Sequence, residues 1–146
     1  MTKQDRGFSV ATQTVSATEA QPTSPFHRLG GHPVFEAICD RFYDLMDSDP
    51  AYAELRAMHA ADLAPMRKAL PLFLAGWAGG PRDWFEANPG RCMMSVHRPY
   101  AISHAAAGQW AEAMRRAIAE VAPAEAELAK AMGGVLAEMA LGMGRD

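Results

Sequence analysis

The chain has 146 residues, 49% of them apolar and 21% charged, and a formal net charge of −3. That suits one folded domain with a sizeable core, and it excludes a disordered chain, a membrane helix of roughly 20 apolar residues and a basic nucleic-acid-binding surface. Two cysteines, Cys39 and Cys92, make no disulfide framework, and the first ten residues hold no apolar signal segment, so a cytoplasmic location is expected.

Residues 1–25 are rich in Thr, Ser, Gln and Ala with no sustained apolar period. They read as a disordered tail, with the folded domain spanning 26–146. From about Pro33 the apolar positions Phe35, Ile38, Cys39, Phe42 and Met46 follow a helical period, with Tyr43 beside that stripe. Asp47-Ser48-Asp49-Pro50 ends this helix. A short segment follows, with Tyr52, Leu55 and His59 on one side.

A third helix is predicted from near Asp62. Met66, Leu70, Phe73, Leu74 and Trp77 form its buried stripe, and Gly79-Gly80-Pro81 stops it. Pro71 inside it predicts a kink, or a start later than Asp62. Between Asp83 and Tyr100 the pattern allows a turn at Asn88-Pro89-Gly90 and at best a short helix before His97. Ser103 is a candidate cap for a helix carrying Trp110, Met114, Ile118 and Val121 on one face. Pro123 is expected to restart a last helix, with Leu128, Met132, Val135, Leu136 and Met139 inward. The chain is therefore all-α. Its ten methionines exceed the usual share; they suit irregular apolar pockets, although plain core filling accounts for most of them.

The chemistry-bearing segment is Cys92-Met93-Met94-Ser95-Val96-His97-Arg98-Pro99-Tyr100. It offers one imidazole after a soft apolar run, just before a proline that restricts the backbone. An imidazole in such a setting, with a phenol and an indole on neighbouring helices, suits a buried haem. Two other readings stay open. Cys92, His97 and His104 could form a zinc site, although their Cys-x4-His-x6-His spacing fits no common pattern and lacks a fourth ligand. The chain could also be a helical module with no cofactor.

Taken together, the motifs resemble the group II truncated haemoglobins. The carriers are Leu29-Gly30-Gly31, Arg41-Phe42-Tyr43-Asp44-Leu45-Met46 and Leu55-Arg56-Ala57-Met58-His59. Phe73-Leu74-Ala75-Gly76-Trp77-Ala78-Gly79-Gly80-Pro81 follows, then His97-x-Pro99-Tyr100-x-Ile102, then Trp110 thirteen residues after His97. Their order and spacing agree over about 120 residues.

The resemblance implies a two-over-two helical sandwich, globin-like, with haem b held between helices. It makes His97 the proximal iron ligand and places Tyr43, Trp110 and His59 in the distal pocket. Met66, Leu70, Phe73, Leu74, Trp77, Met94, Ile102 and Met114 become haem-pocket residues, while His27, His32 and His104 are read as surface. The expected ligands are dioxygen, nitric oxide and carbon monoxide. Bound dioxygen carries partial negative charge, and one hydrogen bond to a charged acceptor contributes about 1.5–3 kcal/mol. Tyr43 and Trp110 together would then hold the gas too long for simple transport. That favours reactive or sensing roles over transport: conversion of nitric oxide and dioxygen to nitrate, or reduction of peroxide, is the first reading, and a non-enzymatic oxygen carrier or a redox or gas sensor is the alternative. No flavin or nicotinamide motif is present, so either reaction needs an external electron donor. A monomer or a homodimer is expected.

This sequence departs from the family in three places. Met66 stands near the distal gate where many members have a small or polar residue. Ala69 fills a place that is often basic and pairs with a haem propionate. The run Gly90–Val96 is less basic than is common. Arg67, Lys68, Arg91 and Arg98 are left as propionate candidates.

Overall fold

The computed structural model describes residues 24–122 and 125–145, and every regular element among them is helical. The predicted tail up to residue 23 and the restart at Pro123 lie outside the described residues.

Helix α1 (Pro25–Leu29) is a single turn whose N-terminus is capped by the Ser24 hydroxyl. It docks through Phe26, whose N–H donates to the Ala78 carbonyl at 3.0 Å. Helix α2 (His32–Ser48) begins with Pro33 in its first turn and buries Phe35, Ile38, Cys39, Phe42, Tyr43, Leu45 and Met46. Tyr43 therefore belongs to the stripe instead of lying beside it. Pro50 ends α2, and the Asp49 carboxylate accepts from the Ala51 N–H at 2.9 Å to start a 3₁₀ turn, Pro50–Tyr52. Helix α3 (Ala53–Ala57) follows.

Helix α4 (Ala64–Trp77) runs continuously through Pro71, so the helix does not start later to avoid it. Its predicted stripe is buried from Leu70 to Leu74, but Met66 is exposed and Trp77 only half-buried. Met66 is exposed because the first turn of α4 borders a cavity instead of the core. Two one-turn helices come next, α5 (Asp83–Ala87) and α6 (Met93–His97). Gly90 turns the chain between them at φ 77°.

Helix α7 (His104–Val121) is capped by Ser103, which accepts from the Ala106 N–H at 3.0 Å. Helix α8 (Ala126–Leu141) buries Ala129, Met132, Gly133, Leu136, Ala137 and Ala140. Val135, expected inward, is exposed. The packed face of α8 is carried by small residues, and a Cβ on Gly133 would come within 3.2 Å of the Arg115 side chain on α7. A reading that followed only the large apolar residues placed that face off centre.

Helices α2 and α4 form one pair and α7 and α8 the other, with α2 packed on α7 between them. This is the two-over-two sandwich. The core is one cluster that includes Phe35, Ile38, Phe42, Leu74, Met114, Ile118 and Leu136. Each such side chain contributes about 1.5–3 kcal/mol on burial. Exposed ion pairs bridge the helices, including Arg41–Glu120, Arg116–Asp49 and Arg67 with Asp40 and Asp44. At the surface such pairs contribute only about 0–1 kcal/mol each, so they set register more than stability. Among the described residues no helix is long and apolar enough to cross a membrane.

Candidate functional site

A cavity of about 420 Å³ lies where the two helix pairs meet the α3–α4 and α6–α7 connections. Its wall is largely apolar. Leu55, Pro65, Met66 and Leu70 come from one side of the chain, Ile102, Ala106 and Ala107 from the start of α7, and Leu136, Met139 and Ala140 from α8. Six hydrogen-bonding or ligating side chains also line the cavity, Tyr43, His59, Asp62, His97, Tyr100 and Trp110.

Tyr43 sits late in α2 and is 1% exposed. Its side chain lines the cavity, whereas the buried hydroxyl left without a partner among the described residues is that of Tyr52. Burial pushes the Tyr43 pKa well above the usual phenol value, so Tyr43 remains an O–H donor across neutral and alkaline pH. Phe42 locks the cluster from behind, with its ring 4.9 Å from Tyr43 and 5.3 Å from Trp110, both edge-on. Trp110 offers the indole N–H, the only hydrogen-bonding atom it has.

His59 lies 6.2 Å from the Tyr43 ring, and its Nδ1 is 2.9 Å from the Leu55 carbonyl. A carbonyl can only accept, so Nδ1 carries the proton. In the neutral ring Nε2 is then an acceptor, and His59 offers a second donor only when protonated. His97 reaches the cavity from the last position of α6.

Of the remaining expected pocket residues, Met66, Leu70 and Ile102 line the cavity. Phe73, Leu74, Trp77 and Met114 do not. Phe73 meets Trp84 edge-on at 5.2 Å and Phe85 at a tilt at 5.4 Å, Leu74 and Met114 are core, and Trp77 packs against the core's edge. The side chain of Met94 is outside the described set. None of the four propionate candidates lines the cavity. Arg67 is held by Asp40 and Asp44 at 3.2 and 2.9 Å, and Lys68, Arg91 and Arg98 are exposed. Among the described residues no three His, Cys, Asp or Glu side chains converge, so the zinc reading from Cys92, His97 and His104 is set aside.

The donor set fits a haem. The wall is apolar enough for a macrocycle; of the two imidazoles that line it, His97 would hold the iron as axial ligand, and the phenol and indole would remain for whatever occupies the open position.

The profile of the bacterial-like globin family matches residues 24–144. The chain belongs to that family. The truncated haemoglobin of the Antarctic bacterium Pseudoalteromonas haloplanktis superposes with a TM-score of 0.79 at 27% identity, covering 84% of this chain and 98% of that one. The group II two-on-two haemoglobin of Agrobacterium tumefaciens gives 0.79 at 29% identity, over 84% and 94% of the two chains. A group 1 truncated haemoglobin of Chlamydomonas moewusii is 32% identical over 91 residues, which is 62% of this chain; the chain spans about half the length of that relative, 50%. The likeness to group II truncated haemoglobins read from the motifs is thus borne out, and the protein is a haem-based gas-binding globin.

Sequence reasoning missed part of this globin's cavity wall: Leu55, Met58, Ala60, Asp62, Pro65, Tyr100, Ala106, Ala107, Leu136, Met139, Ala140 and Met143. Helical periodicity identifies which side chains turn inward. It does not say whether the inward side meets packed atoms or open space.

Proposed function

We propose that this globin holds haem b on His97, binds dioxygen, nitric oxide and carbon monoxide, and converts nitric oxide and dioxygen to nitrate in the cytoplasm. The observation that carries the reading is the convergence of His97, Tyr43, Trp110 and His59 on one apolar cavity. The haem would supply an iron with one open position that takes a diatomic gas and exchanges electrons. Tyr43 and Trp110 donate hydrogen bonds to the polar end of the gas, which slows its escape. Leu70, Ile102 and the methionines keep bulk water away from that end. Forming nitrate from nitric oxide and dioxygen consumes one electron, which a separate reductase must deliver. The same supply would serve reduction of peroxide. The protein acts as a monomer or homodimer.

Haem titration tests the core of this proposal. The wild-type chain should develop a sharp Soret band at one haem per chain, and His97→Ala should lose most tightly held haem, with partial recovery in added imidazole. Normal haem content and an unchanged Soret band in His97→Ala would rule the assignment out. Nitric oxide consumption with a supplied reductase then separates an enzyme from a carrier or sensor: no catalytic turnover would leave binding alone.

A further inference from the structure

The segment that carries His97 is short, and its first turn is closed by a capping box in which the Cys92 N–H donates to the Ser95 hydroxyl at 2.9 Å. Helix α6 is one turn long, and such a short helix has marginal stability by itself. Pro99, two residues on, has no N–H to donate. A further hold comes from the far end of the fold. After α8 the chain runs back over the first turn of α7, so closely that a Cβ on Gly144 would stand 3.0 Å from the His104 ring and 3.1 Å from Ala107. Met143 points into the cavity. Arg145 then bonds the connection after His97 three times. Its backbone N–H donates to the Ile102 carbonyl at 2.7 Å. Its Nη2 donates to the Arg98 carbonyl at 3.1 Å and the Tyr100 carbonyl at 2.8 Å.

We propose that Arg145 is a positioning residue, a latch that fixes the 98–102 connection and through it the direction in which His97 presents its imidazole to the haem. This rests on His97 being the iron ligand. Each exposed hydrogen bond is weak alone. Three bonds from one residue to every second carbonyl of a five-residue connection leave it little freedom to rotate. Both carbonyls accept from the one Nη2, whose two N–H groups are fixed in the guanidinium plane; a lysine ammonium also carries several N–H groups on one nitrogen but without that fixed plane.

The test compares wild type, Arg145→Ala, Arg145→Lys and Gly144→Ala by three measurements. The first is the iron–histidine stretching band of the ferrous protein by resonance Raman. The second is the rate of haem transfer to apomyoglobin. The third is amide hydrogen exchange of residues 98–103 in the haem-free chain. In Arg145→Ala the band should shift and broaden, haem should leave roughly tenfold faster, and exchange should quicken in that connection while α2 and α7 stay protected. Arg145→Lys should fall between. Gly144→Ala, which keeps the guanidinium but crowds its approach, should follow Arg145→Ala in direction. Unchanged band, haem loss and local exchange in Arg145→Ala would overturn the proposal. So would uniformly faster exchange across all helices with a large fall in Tm, because Arg145 would then be a general stabiliser. Failure of the ligand assignment is distinguishable: the stretching band would persist in His97→Gly, while the exchange measurement would still report on the latch.

Discussion

Tyr43 is almost completely buried, 1% exposed, and its side chain lines the cavity. A hydrogen bond from its phenol to the charged end of a bound gas would contribute roughly 1.5–3 kcal/mol. Tyr43→Phe keeps the ring and deletes the donor. Dioxygen dissociation should therefore speed up roughly ten- to a hundredfold, and carbon monoxide, which carries less charge, should respond less. Equal stopped-flow rates in wild type and variant would reduce Tyr43 to packing. The same burial has a signature in stability. Tyr43 and Cys39 both have pKa values raised by desolvation. The native state holds these protons more tightly than the unfolded chain, so the unfolded chain ionises first and alkali favours it. Tm should fall as pH rises past about 8.5, the ordinary thiol value, and more steeply past about 10, the ordinary phenol value. Tyr43→Phe should flatten the second fall, which thermal melts across that range would show. Tyr43, His97 and Trp110 were all legible in the sequence because a motif fixed their spacing. The acceptor character of His59 was not legible, since it depends on a carbonyl four residues back that only the folded turn brings within 2.9 Å.

The long helices could be read from apolar period and stop signals, and Ser103 caps α7 as its residue type suggested. What escaped was the use to which each inward face is put. Phe73, in the middle of a clean stripe, turns to Trp84 and Phe85 on a helix too short to announce itself. The paired glycines after Trp77 show the converse. Their pattern was plain and their reason was hidden until α1 was seen lying on them. A Cβ on Gly79 would come within 2.8 Å of Ser24, and one on Gly80 within 2.5 Å of the Phe26 ring. Gly80→Ala should therefore lift Phe26 off α4 and release α1. Losing that aromatic burial costs about 1.5–3 kcal/mol, a fall in Tm of several degrees, with faster amide exchange confined to residues 25–31. An unchanged Tm and protected α1 would show that the ring has room to shift.

For the whole molecule, family motifs spread over most of the chain made the sandwich legible in advance, whereas the depth and outline of the cavity depended on how four helices and two connections close around it. The described contacts begin at Ser24, which caps α1 and packs against Gly79. We propose that the domain is self-sufficient from there, since residues 1–23 hold no apolar period with which to dock. Deleting them should leave Tm and haem affinity within error of the full chain; a drop of several degrees would show that the segment contributes to the fold. The excess of methionine noted in the sequence is now divided. Met46, Met114 and Met132 fill the core, while Met58, Met66, Met139 and Met143 wall the cavity. Thioethers take up one oxygen atom each from peroxide and become polar sulfoxides. A chamber built to handle dioxygen thus wears a lining that dioxygen's reduced by-products can consume. Met58 and Met66, 37% and 40% exposed at its mouth, stand first in their path. Sulfoxides at those two positions would turn an apolar rim polar, a change that methionine sulfoxide reductases reverse.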